Sequence, residues 1–245
     1  LLGFLLLFIF VFFLNYLYIK NIKIKIIINY MKSIFLIVLL LFSIRCFIVE
    51  PFRIPSRSMV PTLFDGDFLL SNKFIYGLRI PILNKVFVNV SLPKIGDIIV
   101  FKHFSKKFYV KRVLGLCGDH VKYNNGNLYI NDNFILKSFF FQDVDINADN
   151  VTIFPVESCK EELLNNVVYN TYLRPWIKDL YVIDDFVIPF NSYFVLGDNR
   201  NTSYDSRFWG VVNFDDIVGK VFLIWFSWDL YYKDIRWNRI FIMFE

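Results

Sequence analysis

The chain has 245 residues, 56% of them hydrophobic, with 30 Phe and a formal net charge of +5. That apolar excess excludes an ordinary soluble composition, and the length suits one large domain or a smaller domain carrying membrane anchors. A positive balance suggests nucleic acid or an anionic surface, but no nucleic-acid module accompanies it, so nucleic acid is not expected as a partner.

Residues 1–19, "LLGFLLLFIFVFFLNYLYI", carry no charge and match the length of a membrane-crossing helix. A signal peptide is the competing reading, but the basic n-region and small-residue cleavage site are missing. A second apolar run covers residues 26–44 and is interrupted by Lys32, which can snorkel to the interface. A buried core helix is the alternative for that run. Lys20, Lys23, Lys25 and Lys32 make residues 20–32 a short basic loop that overlaps the start of the second span. The positive-inside tendency places this loop in the cytoplasm. Both flanks then exit on the other side, and residues 50–245 form an extracytoplasmic domain anchored by two N-terminal transmembrane helices.

Beyond Arg45 the pattern becomes strand-like, and Pro51 and Pro55 suit an edge or lead-in strand. "GDFLLSNKF", "KIGDIIVFKH", "KKFYVKRVLGL", "NNGNLYINDNF", "NSYFVLGDN" and "VGKVFLIWF" are short β-rich runs bounded by Gly, Asn, Asp or Pro. Asn125-Gly126 signals a hairpin. No βαβ rhythm appears, so the domain is expected to be mostly β and antiparallel. Residues 128–190 are the least patterned. They hold the acidic stretch "QDVDINADN" and a candidate short helix near "SCKEELLNN", and suggest a smaller lobe decorating the β core.

In "FRIPSRSMVPTLFDGDFLL", residues 52–70, Ser56 and Ser58 flank Arg57 with no histidine nearby. His103 and His120 lie in neither a triad signature nor a metal-ligand spacing, so no metal or cofactor is expected. Cys46, Cys117 and Cys159 make an odd count; a Cys117–Cys159 bridge is conceivable, and no C-x-x-C pair argues for redox work. Lysine offers another route to an activated serine. Burial beside apolar groups lowers its pKa, and the neutral amine is a competent base for a hydroxyl. Lys111, in "FYVKRVLG", is the candidate, on the strand face opposite Val110. A solvated edge lysine is the ordinary alternative. The third stretch, "GDNRNTSYDSRFWG" at 197–210, packs Asp198, Asn199, Arg200, Ser203, Asp205, Ser206 and Arg207 between apolar strands. Dense polar loops on rigid strands commonly carry function, although a structural turn would look similar.

"PSRSMVPTL", "YVKRVLGLCGD" and "GDNRNTSYDSRFWG" occur in that order, with "RCFIVEPFRIP" before them and "GKVFLIWFSWD" after. Together with the two apolar runs they resemble the bacterial type I signal peptidases, or leader peptidases, a family of membrane-bound Ser/Lys serine proteases. The resemblance implies Ser58 as nucleophile and Lys111 as general base. The Ser56 hydroxyl and the Ser58 backbone N–H would form the oxyanion hole. Ser203 would hydrogen-bond and orient Lys111, while Asp205 and Arg207 hold the surrounding loop. Phe52, Ile54, Pro55, Met59, Leu63, Tyr109 and Val110 are expected around the substrate pockets. The implied activity is removal of N-terminal signal peptides from exported preproteins, after small residues. It would take place at the outer face of the cytoplasmic membrane, with membrane lipid and preproteins as partners.

Departures from the family pattern are few. Arg57 stands where Gly is frequent and is expected to point away from the cleft. Cys117 stands where Pro is usual, and Asn201 replaces a frequent Asp. Relatives with a disulfide in the lobe pair two cysteines there; only Cys159 is available here, so that bridge must be absent. Trp225 is expected in the core and Trp228 at a membrane interface. Two other functions compete: a soluble Ser/Lys self-cleaving repressor, and a catalytically inactive membrane-anchored β-domain assembly or interaction factor. The apolar runs argue against the first, and the joint presence of Ser58 and Lys111 against the second.

Overall fold

The computed structural model describes residues 22–79, 86–124, 126–146, 153–163, 167–174, 177 and 181–244. The first apolar run, 1–19, lies outside them. The chain divides into two compact units, Leu1–Ile48 and Val49–Glu245.

In the first unit, helix α1 spans Ile22–Phe47. It takes in the second apolar run and also residues 22–32 of the stretch expected as a basic loop. Neither Gly nor Pro interrupts these residues, so nothing local breaks the helix there. Ile34, Leu36, Ile37, Leu40 and Leu41 are exposed on it. Among the described residues, no helix is long and apolar enough to cross a membrane.

The second unit is built from antiparallel strands: β1 Val49–Arg53, β2 Asp67–Asn72, β3 Gly77–Arg79, β4 Val86–Asn89, β5 Ile98–Lys102 and β6 Phe108–Gly115. Next come β7 His120–Asn124, β8 Asn127–Ile130, β9 Asn133–Phe134, β10 Leu136–Ile146, β11 Ile153–Glu162 and β12 Val168–Leu173. The last are β13 Val182–Val187, β14 Ser192–Leu196, β15 Val212–Asn213, β16 Ile217–Asp229, β17 Asp234–Ile235 and β18 Ile242–Met243. A short helix α2, Ser206–Trp209, follows β14. The main sheet runs β1-β2-β16-β5-β6-β14-β15, with β17 and β18 also on β16. A second sheet runs β13-β7-β8-β9 and a third β10-β11-β12. The expected hairpin is present as Asn124 opposite Asn127, with Gly126 at φ +79°; Asn125 itself lies outside the described residues.

At β5 and β6 the main sheet is buried on both faces. Ile98 and Val100 pack with Ile54, Met59, Leu63, Leu69, Val221 and Ile224. Their neighbours Ile99 and Phe101 pack on the other face with Tyr76, Val113, Tyr193 and Phe214. Successive side chains of a strand point to opposite faces, which is why "IIVF" is an unbroken apolar run and not an alternating one.

Within the stretch 128–190, β13 pairs with β7. The helix expected near "SCKEELLNN" is not formed in its described residues, 158–163. Residues 158–162 lie in β11, between β10 and β12. Cys159 and Glu161 are buried while Lys160 and Glu162 are exposed, a period of two that only a strand provides. Trp225 also departs from expectation and is exposed. A bulge between Ile224 and Phe226 removes it from the β2 pairing, and its ring stands edge-on to Phe68 at 5.8 Å.

Leu69 is fully buried in the apolar layer under the serine segment. Leu69→Ala is expected to lower stability by about 2–5 kcal/mol, read as a lower denaturant midpoint with an unchanged slope.

Candidate active site

Ser58 sits in the segment connecting β1 to β2. The ends of that segment are fixed by backbone bonds from Ile54 N to Asp67 O and from Gly66 N to Ile54 O, both 2.9 Å. Met59 and Leu63 anchor it from below, each buried in the apolar layer. Leu63 N donates to Met59 O at 2.9 Å, closing a turn directly after the serine. Small polar residues therefore occupy the upper side of a segment whose apolar side chains are sunk into the core.

Lys111 lies on β6 opposite Ile99, and only 2% of it is exposed. Its Nζ is 2.6 Å from Ser58 Oγ. Burial lowers its pKa from the ordinary 10.5 to about 8; the Asp205 and Asp198 carboxylates oppose this and Arg207 reinforces it. The Ser56 and Ser58 hydroxyls are 3.5 Å apart. Ser56, Ser58 and Lys111 thus form one cluster.

The polar stretch after β14 closes the site through two acid–guanidinium pairs. Asp198 accepts from Arg112 Nε at 2.9 Å and Nη2 at 2.7 Å. Asp205 accepts from Arg207 Nε at 2.8 Å and from Gly197 N at 3.0 Å. Asp205 is also the N-cap of α2. Asn199 ties this stretch to the serine segment: its backbone N donates to Ser58 O at 3.1 Å. Its side-chain Nδ2 donates to the Arg57 carbonyl at 3.2 Å.

Ser203 does not make the bond expected of it. Its hydroxyl is buried without a hydrogen-bond partner among the described residues, while Lys111 Nζ is directed to Ser58. Ser203 Oγ instead lies against Gly197, where a Cβ would stand 2.2 Å from it and 2.5 Å from the Ser58 carbonyl oxygen.

Of the expected pocket residues, Phe52, Ile54, Met59, Leu63 and Val110 share one apolar cluster. Pro55 is exposed beside them. Tyr109 is not among them. One residue from Val110 on the strand, it faces the other layer, where it stacks on Phe101 at 6.1 Å and meets His103 at 4.8 Å. Arg57 is directed to Asp65, at 3.9 Å. The histidines have other partners: His103 meets Ser105 and His120 meets Asp185, each at 3.1 Å. Cys117 is exposed, Cys159 is buried, and both are free thiols.

Three residues of the site went unmarked in the sequence. Arg112 directly follows Lys111 but points to the opposite face, towards Asp198. Gly197 carries no local sign of its crowding. Glu161 is fully buried and ion-paired with Arg200, yet it lies in the stretch that looks helical by composition.

A protein-family model described as "Signal peptidase, peptidase S26" matches residues 27–228. A signal peptidase I of Buchnera aphidicola (subsp. Baizongia pistaciae) is 36% identical over 88% of this chain and 81% of the relative. That of Pseudomonas fluorescens is 36% identical over 84% of this chain and 75% of its own length. A solved signal peptidase I structure from Enterococcus faecalis is 27% identical, covers 53% of this chain and 97% of that one, and superposes with a TM-score of 0.31. With the family model spanning most of its length, this chain belongs to the signal peptidase family, peptidase S26, serine-type peptidases that remove signal peptides.

Proposed function

We propose that the chain cleaves signal peptides from exported preproteins with Ser58 as nucleophile and Lys111 as general base. The observation that carries this is the 2.6 Å approach of a buried Lys111 Nζ to Ser58 Oγ. The same contact favours an enzyme over an inactive assembly factor, which has no use for a buried lysine of lowered pKa beside a serine.

In the neutral state Lys111 offers its lone pair to the Ser58 proton. Ser58 Oγ then attacks the scissile carbonyl carbon, and the carbonyl oxygen takes on negative charge. The Ser56 hydroxyl and the Ser58 backbone N–H are the proposed donors to that oxygen; losing one such donor typically costs about 3 kcal/mol in the transition state. The C–N bond breaks as charged Lys111 returns its proton to the departing amine, leaving an ester on Ser58. Neutral again, Lys111 activates a water, which hydrolyses the ester and restores the serine. Asp205 and Arg207 hold the loop above this pair. Ser203 contributes through its packing against Gly197.

The substrate is proposed to bind as an added strand along β1, which ends the main sheet. Phe52 and Val110 are half-buried at the surface of a cluster whose other members, Ile54, Met59 and Leu63, are fully buried. Such a surface is shallow and admits small side chains before the cut. The membrane anchor rests on the uncharged residues 1–19 and the apolar run 26–44. Apolar residues exposed at consecutive positions of α1, such as Leu39, Leu40 and Leu41, point to successive sides of the helix and suit an apolar surround. With enzyme and preprotein held in one bilayer, the effective concentration rises without added contacts. The catalytic domain is placed on the extracytoplasmic face of the bacterial cytoplasmic membrane.

Purified in detergent, the protein is expected to cut a preprotein after a small residue, located by the mass of the new N-terminus. Folded Ser58→Ala and Lys111→Met should each lower the cleavage rate by about a hundredfold or more, and their combination should add little. His103→Ala and His120→Ala should keep most activity. Near-normal cleavage by Lys111→Met, or complete loss only in a histidine variant, contradicts the assignment.

Because burial depresses the Lys111 pKa to about 8, the competent neutral form is lost as pH falls through that value. The rate profile of kcat/KM should therefore rise to a plateau with its base limb near pH 8, well below the limb of an unperturbed lysine. A limb at or above pH 10 means that the amine is solvated and Lys111 is not a buried base.

Tags inserted at residues 20–25 should resist protease added to intact cells or spheroplasts, while tags in 130–150 should be cut. The reverse pattern puts the serine in the wrong compartment.

A further inference from the structure

Glu161 belongs to β11, in the sheet formed by residues 136–173, and its chain position is far from every residue assigned to the chemistry. It is nevertheless 0% exposed, as buried as any residue of the core. A carboxylate there needs a partner, because an unpaired buried charge is strongly unfavourable. Its partner is Arg200, itself 1% exposed. Tyr169 Oη donates to Glu161 at 2.8 Å and Thr171 Oγ1 at 3.4 Å, and Arg200 Nη2 also donates to Tyr169 Oη at 2.9 Å. Among the described residues Arg200 has no other carboxylate partner, and its Nη1 is buried without an acceptor.

Arg200 leads from this acid to the polar stretch. Its Nε donates to the Gly197 carbonyl at 3.2 Å, and its own carbonyl accepts from Arg207 Nη2 at 2.5 Å. Gly197 in turn sits against the Ser58 carbonyl, and its N–H is held by Asp205. The neighbouring strand adds a backbone link, from Tyr172 N to Asp198 O at 2.9 Å. One buried carboxylate of the lobe thus fixes the guanidinium that spans the loop holding the nucleophile.

We propose that Glu161 is a positioning residue for the cleavage reaction, acting through Arg200 and Gly197 on the placement of Ser58. The proposal rests on the Ser58–Lys111 reading above. It gives residues 136–173 a role in catalysis: the lobe is the outer brace of the active-site loop. A purely structural Glu161 would lower stability and leave the folded enzyme's chemistry untouched. A positioning Glu161 alters the turnover of protein that is fully folded.

The test uses the full chain in detergent with a preprotein substrate. It compares wild type, Glu161→Gln and Tyr169→Phe below their thermal midpoints, and measures kcat and KM separately. Glu161→Gln keeps the shape and removes the charge that orients Arg200. Its kcat is expected to fall about tenfold or more with KM within about twofold, as misplacement of a nucleophile predicts. Tyr169→Phe leaves the Glu161–Arg200 pair in place and should keep kcat within about threefold of wild type. Wild-type kcat in folded Glu161→Gln, a change confined to KM, or an equal kcat loss in Tyr169→Phe overturns the proposal. Should Glu161→Gln not fold, Arg200→Lys replaces it, since one ammonium cannot span Glu161 and the Gly197 carbonyl together. The same kcat loss is expected there, and wild-type kcat again overturns the proposal. Failure of wild type itself to cleave would instead strike the Ser58–Lys111 reading, so the two failures are distinguishable.

Discussion

The site depends on the cost of charging one lysine away from water. As the proposed base, Lys111 is useful only if its charged form is penalised, and its pKa is carried down chiefly by burial. An opposite charge within about 4–6 Å commonly shifts a pKa by 1–3 units and would undo that effect. Asp198 and Asp205 are both near enough to pull Lys111 upward. Each is engaged by a guanidinium of its own, Arg112 for Asp198 and Arg207 for Asp205. The arginines therefore do more than brace the loop: they occupy the carboxylates that would otherwise hold the lysine charged.

This constraint explains why base and clamp are consecutive residues. On β6, Lys111 and Arg112 point to opposite faces because adjacent side chains of a strand must. Lys111 turns to the serine segment; Arg112 turns to Asp198 and to the Gly96 carbonyl, at 2.9 Å. A single strand, paired with β5 on one side and β14 on the other, sets the base and the support of the covering loop in one register. Sliding that strand by a residue would exchange their roles and place a permanently charged guanidinium where a neutral amine is needed. The doubly buried sheet resists the slip, since the apolar residues of β6 would change layers.

What could be seen in the sequence follows the range of the interactions. Strand alternation, the Gly126 hairpin and the chemical types in the three polar stretches are local, and each appears where residue pattern placed it. A serine without a nearby histidine made lysine a candidate base, and the resemblance of the three stretches to a known family implied the pairing of Ser58 with Lys111. The features that were hidden arise from contacts across the chain. Tyr109 and Val110 are equally apolar neighbours, and no local pattern says which of them packs with Met59 and Leu63. Ser203 has the right type, but its Oγ lies against Gly197 and has no hydrogen-bond partner among the described residues. Glu161 is hidden for a further reason. Its stretch, rich in Glu, Lys and Leu, has the composition of a helix, and only pairing with β10 and β12 makes it a strand with one buried acid.

Gly197 shows how the serine is held in place without a dedicated side chain. Its backbone is not in the left-handed region, so the need for glycine comes from proximity and not from its dihedral angle. A Cβ there would stand 2.2 Å from Ser203 Oγ and 2.5 Å from Ser58 O, both far inside van der Waals contact. The polar stretch and the serine segment consequently meet backbone to backbone, joined by the Asn199 N to Ser58 O bond. A backbone contact has fewer rotatable bonds than a pair of long side chains, so less freedom is lost in fixing it and less displacement remains afterwards. Nucleophile and covering loop then shift together or not at all. On the proposed mechanism Lys111, fixed on its strand, meets a serine positioned by the whole loop, and a brace as remote as β11 would then bear on the reaction.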